Sequence, residues 1–341
     1  MGNLNILAIE SSCDETAVAI VRDGREVLTD CIASQVALHR EYGGVVPEIA
    51  SRKHIEAIYP LADQALKEAG LTRDDIDAVA VTYAPGLIGA VLVGVNFAKA
   101  AAMAMNKPLI PVHHIRGHIA ANYLAYPELK PPFLCLVVSG GHTMIIEVKD
   151  YTDMRILGTT LDDAAGECFD KVGRVLGMPY PGGAALDKAA QQGDETKYSL
   201  PVAKPGENPY NMSFSGLKTA TLNLIHHAEQ VGEELDIPSL CASFTAAVSE
   251  TLVPRVVRAL QETGYRKVAV AGGVAANSRI RADILAAAQK LGAEVYMPPL
   301  KLCGDNGAMI GSQAYYEYLA GNVADMSLNA YATKSILGET V

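Results

Sequence analysis

A chain of 341 residues is long enough for two domains of ordinary size, and with half its residues hydrophobic and only 19% charged it can bury a large core. The start has no basic region or signal-type core, since Ile6 to Ile9 is followed at once by Glu10 and Asp14, and no apolar run is expected to reach the roughly 18 residues that span a bilayer. Six scattered cysteines (Cys13, Cys31, Cys135, Cys168, Cys241, Cys303) without a CxxC suit reduced thiols in the cytoplasm, and a net charge of −10 argues against unaided, non-specific binding of nucleic acid.

Taken in order, Ile6 to Glu10 reads as a strand, Ser11 to Thr16 as a small polar turn, Ala17 to Val21 as a second strand, and Asp23-Gly24 as a hairpin turn into a third. The same rhythm returns in Leu134–Val138, Ser139–Thr143 and Met144–Val148. This is a weak internal repeat, the mark of a duplicated lobe. In both copies small residues between buried strands leave backbone N–H groups free to face a phosphate; two ordinary hairpins would look the same. Pro47 opens a helix that runs to Ala69 before Gly70, with Arg52, Lys53 and His54 on a solvated face or facing an anionic partner. Ile76 to Val81 is a strand. Gly86 to Met105 carries a single charge, Lys99, and is expected to be a helix buried on nearly all sides.

Leu109 to Val112 is a buried strand that leads directly into His113-His114-Ile-Arg-Gly-His118. Residues four apart share a helix face, so His114 and His118 can aim at one point, while His113 lies about a hundred degrees round the turn. Three readings fit this pair: buried histidines bonded to carbonyls, a zincin protease, or a metal that binds substrate. A zincin needs Glu directly after the first His, and here that residue is Ile115. The third reading needs a carboxylate from elsewhere in the chain.

Pro127, Pro131 and Pro132 mark a boundary, which gives a lobe of residues 1–130 joined by a C-terminal helix 308–341, and a lobe of residues 131–307. Asp162 to Lys171 is an acidic helix start, Tyr180-Pro-Gly-Gly183 a tight turn, and residues 193–214 a long surface loop ahead of a helix beginning near Ser213. Lys267 to Ala271 is a strand followed by Gly272-Gly-Val-Ala-Ala-Asn277, a strand-to-helix turn where glycines permit close approach of a ligand. After a last strand, Val295 to Met297, the turn Cys303 to Gly307 opens the final helix. Asp305 in that turn is the candidate third metal ligand, with helix capping as its other reading.

These segments together resemble the TsaD family of tRNA N6-adenosine threonylcarbamoyltransferases, once described as glycoproteases, from end to end. The resemblance is carried by Ile9-Glu-Ser-Ser-Cys-Asp-Glu-Thr16, the stretch from Lys99 to Ile119 with both histidines, and Val138-Ser-Gly-Gly-His-Thr143. Asp170, Tyr180 to Gly183, Ser213 to Lys218, Gly272 to Val274 with Asn277, and Asp305 to Met309 extend it. It implies the α/β, two-lobed actin-like ATPase fold (acetate and sugar kinase/heat-shock chaperone/actin) with a duplicated mixed sheet. It also implies iron(II), or zinc as the second candidate, on His114, His118 and Asp305. A nucleotide is implied on Val137, Val138, Ser139, Gly140, Gly141, Asp170, Gly183, Asp187 and Asn277. The implied donor is threonylcarbamoyl-AMP and the acceptor the tRNA adenosine immediately 3′ of the anticodon, in tRNAs reading codons that begin with A. The implied partners are a smaller inactive paralogue of the same fold (TsaB-like) and an ATPase subunit (TsaE-like).

Acyl transfer from a mixed anhydride uses no hydrolytic water, so Ile115 in the zincin glutamate position fits it. Asp14 or Glu15, in the first turn, is the group expected to accept the amine proton or orient the phosphate. A sugar-kinase-like phosphotransferase would share the phosphate turns but leave HxxxH unexplained. A metalloprotease would have to cleave protein, and a non-catalytic scaffold of the same fold would need no metal.

Overall fold

The computed structural model describes residues 3–204 and 206–337, so both ends of the first lobe read from the sequence (1–2 and 338–341), and Pro205 in the 193–214 loop, lie outside it. The chain divides into two compact units: Met1–Pro131 with Lys149–Met154 and Pro298–Val341, and Pro132–Val148 with Arg155–Met297.

In the first unit the strands are β1 (Asn5–Glu10), β2 (Glu15–Arg22), β3 (Glu26–Ser34), β4 (Ala78–Ala84) and β5 (Leu109–His113). They form one sheet in the order β3-β2-β1-β4-β5. The hairpin strands pair antiparallel, while β4 and β5 run parallel to β1, as crossover helices require. The second unit repeats the plan with β6 (Phe133–Val138), β7 (Thr143–Val148), β8 (Met154–Thr159), β9 (Lys267–Ala271) and β10 (Glu294–Tyr296), ordered β10-β9-β6-β7-β8. Here too the central strand pairs antiparallel with the next strand and parallel with β9. The repeated strand–turn–strand rhythm therefore maps onto equivalent places in two sheets.

Period-two alternation gives the first sheet two different faces. Leu7, Ile9, Val18, Ile20, Val79 and Val81 pack against α2 (Pro47–Ala69) and α3 (Ile88–Met105). Ile6, Ala8, Ala78, Ala80, Ile110 and Val112 pack against α4 (His114–Ala125) and α10 (Gly307–Leu319). The second face is built of smaller residues, and α10 lies close on it. A Cβ added at Gly307 would stand 2.7 Å from the backbone nitrogen of Ala19, and one at Gly311 would stand 2.6 Å from Val21 Cγ2.

The helix α2 begins at Pro47 and stops at Gly70, whose φ of 64° closes the C-terminus in the left-handed region. His54 is fully buried within it, not on a solvated face; only Arg52 and Lys53 are exposed, paired with Glu48 and Glu56. The expectation for α3 also fails. Its 18 residues have a mean hydropathy of 1.7, enough by length and composition for a membrane span, yet only 33% of the helix is buried. One stripe (Ala90, Val91, Gly94, Val95, Ala98, Ala102) faces the core, while Ile88, Leu92 and Met103 are exposed. A single sheet and one neighbouring helix can cover only one side of it. The last helix ends at Leu319, and residues 320–337 continue without a further helix.

Because backbone rather than a mobile side chain meets the added atom, Gly307→Ala is expected to lower unfolding free energy by about 1–3 kcal/mol. Urea unfolding monitored by circular dichroism measures it.

Candidate metal centre

With β5 ending at His113 and α4 starting at His114, the histidine segment has no loop in which to wander. His113 caps the helix: its Nδ1 accepts from the Ile115 N–H at 3.3 Å, and its Nε2 donates to the carbonyl of Lys334 at 3.0 Å. That fixes His113 away from the pair. His114 and His118 lie on the same side one turn apart, edge to face, with ring centroids 4.5 Å apart.

Asp305 meets them from the turn before α10. The capping reading of this residue does not hold, because Asn306 caps the helix, its side chain accepting from the Met309 N–H at 2.8 Å. Asp305 Oδ1 instead lies 3.5 Å from His114 Nε2 and 3.3 Å from His118 Nε2. The three residues offer one ligand atom each, all within 4.8 Å of one another. Ligands at about 2.0–2.1 Å from a tetrahedral ion stand about 3.3–3.4 Å apart. Direct N–H···O bonds are usually shorter than these separations, so the donor set fits an ion between the atoms better than a proton.

The surroundings are charged and dry. Glu10 is fully buried, and its Oε2 accepts from His114 Nδ1 at 2.9 Å and from Thr82 Oγ1 at 2.6 Å, while Oε1 accepts from the Ser12 N–H. Burial alone would raise the Glu10 carboxyl, but His114 beside it draws it below its ordinary value. Burial works against charge on His114, yet Asp305 and Glu10 outweigh it and push the imidazole up to about 9. Asp305 is likewise drawn down to about 2 against its burial, by His114 and then His118. His118 differs from its neighbour: its buried Nδ1 has no hydrogen-bond partner among the described residues.

The turn after β1 carries Asp14, which is buried, and Glu15, which is partly exposed. Glu15 accepts from Ser34 Oγ at 3.0 Å. Burial, then the charges of Asp14 and Asp305, push its carboxyl up to about 9. His54 braces this turn from α2, with Nε2 2.9 Å from the Cys13 carbonyl and Nδ1 2.7 Å from Thr16 Oγ1.

The other residues singled out in the sequence all fall in the second unit. Val137 and Val138 end β6, buried, and the Ser139 N–H donates to the His142 carbonyl across the turn that includes Gly140 and Gly141. Asp170, in α5 (Ala165–Val175), accepts from the N–H groups of Gly182 and Gly183 at 2.8 and 3.3 Å, at the start of α6 (Gly182–Ala190). Asp187 accepts from Ser278 Oγ at 2.8 Å, and Asn277 caps α9 (Ser278–Lys290) by accepting from the Ile280 N–H at 3.0 Å. Gly272, with φ of 91°, lies so close to β6 that a Cβ would stand 2.4 Å from the Val138 carbonyl; Gly140, Gly141 and Gly273 have open space there. Asp162 does not cap its own helix. It accepts from Ser213, Phe214 and Ser215 at the start of α7 (Ser215–Val231).

The sequence gives Glu10 and Ser12 only a place in a motif, with no role at the site, and does not mark Thr82. Their signal lay in strand parity: Glu10 shares the β1 face of Ile6 and Ala8, which is the face of α4 and α10.

The family model for tRNA N6-adenosine threonylcarbamoyltransferase, TsaD, matches residues 26–312. The chain is 56% identical to the tRNA N6-adenosine threonylcarbamoyltransferase of Moorella thermoacetica, covering 96% of this chain and 95% of that one. It is 52% identical to the protein of the same name from Clostridium botulinum strain 657, covering 96% of each. Among solved structures, HypF from T. kodakarensis superposes with a TM-score of 0.61 at 16% identity, over 96% of this chain and 49% of that one. Component A of the Acidaminococcus fermentans (R)-2-hydroxyglutaryl-CoA dehydratase gives 0.53 at 15% identity, over 93% and 99%. These distant likenesses speak for the fold, that of the actin-like ATPases and sugar kinases.

His114→Ala and His118→Ala are each expected to abolish metal uptake while the chain stays folded, as elemental analysis with circular dichroism would show. In metal-free protein the two should differ. His114→Ala strands the buried Glu10 carboxylate and is expected to cost roughly 3 kcal/mol or more, and His118→Ala clearly less; denaturant midpoints compare them.

Proposed function

The chain belongs to the tRNA N6-adenosine threonylcarbamoyltransferase family, and from that membership we propose how its residues carry out the transfer. It is an acyltransferase of tRNA modification. The observation that carries the proposal is the triad His114, His118 and Asp305, with donor atoms spaced for one ion and with Ile115, 1% exposed, where a zinc protease needs its glutamate.

The donor we assign is threonylcarbamoyl-AMP, and the acceptor the exocyclic amine of the adenosine immediately 3′ of the anticodon in tRNAs reading codons that begin with A. His114, His118 and Asp305 would hold an iron(II) ion, or zinc as the second candidate, which when bound would supply Lewis-acid polarisation and an anchor for the threonyl group. The turns at Val137–Gly141 and Gly272–Asn277, with Asp170, Gly183 and Asp187, hold the adenylate, the open space at Gly140, Gly141 and Gly273 letting it approach the backbone. Attack of the amine on the carbamoyl carbon forms the C–N bond, breaks the anhydride C–O bond and releases AMP. Positioning of the two reactants is the main contribution, worth roughly 7–11 kcal/mol in well-oriented systems. Asp14 or Glu15, beside the centre, is the group we assign to accept the amine proton or orient the phosphate.

The uncovered side of α3 supports a partner. A groove between α2 and α3 is lined by Tyr59, Ala62, Leu66, Phe97, Ala101 and Met105, beside exposed Ile88, Leu92 and Met103. We assign it to the smaller inactive paralogue of the same fold, with an ATPase subunit completing the assembly. A net charge of −10 agrees with tRNA being held partly by those partners. The six cysteines are free thiols, five of them buried, in keeping with a cytoplasmic setting.

Mass spectrometry of tRNA nucleosides after depletion of this protein in its own cell tests the reading: N6-threonylcarbamoyladenosine should disappear, and its persistence at wild-type levels would refute it. Gly273→Val, which fills the space above the turn, is expected to weaken AMP binding more than tenfold by calorimetry, or about 1.4 kcal/mol. For Glu15 the expectation concerns pH. The folded metal-free chain holds this proton more tightly than an unfolded one, whose glutamate titrates near 4.5. Stability from the site is thus full below about pH 4.5 and is lost as pH rises towards about 9. Glu15→Gln, which has no charge to bury, should melt above wild type at about pH 8.5 and converge with it near pH 4.5.

A further inference from the structure

We propose that Glu10 is a positioning residue for the metal centre, fixing His114 in the tautomer that offers its Nε2 lone pair to the ion. The inference rests on the metal reading of the triad and goes beyond it to a residue that is not itself a ligand.

The geometry is that of a carboxylate held by donors on both sides. Glu10 is the last residue of β1, fully buried, and cannot turn to solvent. An ionised carboxylate offers only lone pairs, so each neighbour at hydrogen-bond distance must be a donor. Oε1 takes the N–H of Ser12; Oε2 takes the hydroxyl of Thr82 at 2.6 Å and His114 Nδ1 at 2.9 Å. In the neutral ring that a metal requires, the proton is therefore placed on Nδ1, and the Nε2 lone pair is turned to the side of Asp305, whose Oδ1 lies 3.5 Å away. Ser12 Oγ, 3.2 Å from the same Nδ1, closes the ring's other approach. Without the carboxylate, a neutral imidazole would be free to carry its proton on Nε2, where it could not bind a metal. His118 has no such restraint, since its Nδ1 lacks a partner among the described residues. Orientation of the pair thus depends on His114, and through it on β1. A carboxylate behind a metal-bound histidine also makes the ring a stronger donor.

Glu10→Gln keeps the shape and removes this logic. One amide oxygen cannot serve both ends: either the NH₂ meets the Ser12 N–H, donor against donor, or it meets His114 Nδ1 and favours the wrong tautomer. Zinc affinity of the isolated full chain, measured by competition with a chromogenic chelator, is expected to fall about tenfold to a hundredfold in Glu10→Gln. A folded Glu10→Gln protein that binds zinc within twofold of wild type would overturn the role of Glu10. Wild-type chain that takes up no zinc would overturn the metal centre itself, and with it this proposal. If Glu10→Gln does not fold, the wild type decides: nitrogen-15 histidine spectra of the zinc-loaded chain should show His114, assigned by its loss in His114→Ala, protonated at Nδ1 and metal-bound at Nε2. Coordination through Nδ1, or an Nδ1 without its proton, would refute it.

Discussion

Asp305 reaches the two histidines because α10 lies almost flush on the sheet. Gly307 and Gly311 leave no side chain between the helix and β2, and the strand residues beneath are small: Ala8, Ala19, Ala78 and Ala80. The same face receives α4, which packs on α10 through Ile310 and Gly117. Two helices from distant parts of the chain are thereby held with their first turns together. Everything proposed for the centre depends on that close approach, since a shift of about an ångström in positioned groups is enough to change the chemistry.

Charge is balanced on the same small scale. Two carboxylates, Glu10 fully buried and Asp305 half-buried, lie with two imidazoles, and in the absence of a cation the imbalance is relieved by pushing His114 up to about 9. A divalent ion would neutralise both carboxylates with the imidazoles uncharged. The inner ligands alone would leave the ion one positive charge for an anionic or polarisable group of the substrate, with Glu10 supplying the balance from behind. Thr82, Ser12 and the backbone complete the shell, so the buried carboxylate has donors on both oxygens.

The duplicated sheet assigns each unit a task in the proposed reaction. Both place a polar turn between their first two strands, but only the first sets carboxyls there, Asp14 in the turn and Glu15 at the start of β2; the second has Ser139, Gly140 and Gly141. A turn of backbone N–H groups suits phosphate, and a turn of acids suits proton transfer. The exposed face of α3 has no equivalent task within its own unit, and its apolar character is why it reads as a docking surface.

Much of this was legible in the residues. Apolar alternation marked the strands, Pro47 and Gly70 marked α2, and the HxxxH spacing put two imidazoles on one helix face whatever the rest of the chain did, because these are local consequences of backbone period. The candidate third ligand was named from its place in a turn after a strand. Whether it capped a helix or met the histidines was a question of distance across 187 residues of chain (305 − 118), and only the packing of α10 against α4 answered it. The burial of His54, the bare side of α3 and the grip of Glu10 on His114 belong to the same class. Each depends on what lies opposite a residue, and the partner comes from a remote segment: Cys13 and Thr16 for His54, Glu10 and Thr82 for the metal helix. The local sequence determined which groups point together; tertiary structure decided which face one another, because contact between distant segments is set by how closely whole elements can pack.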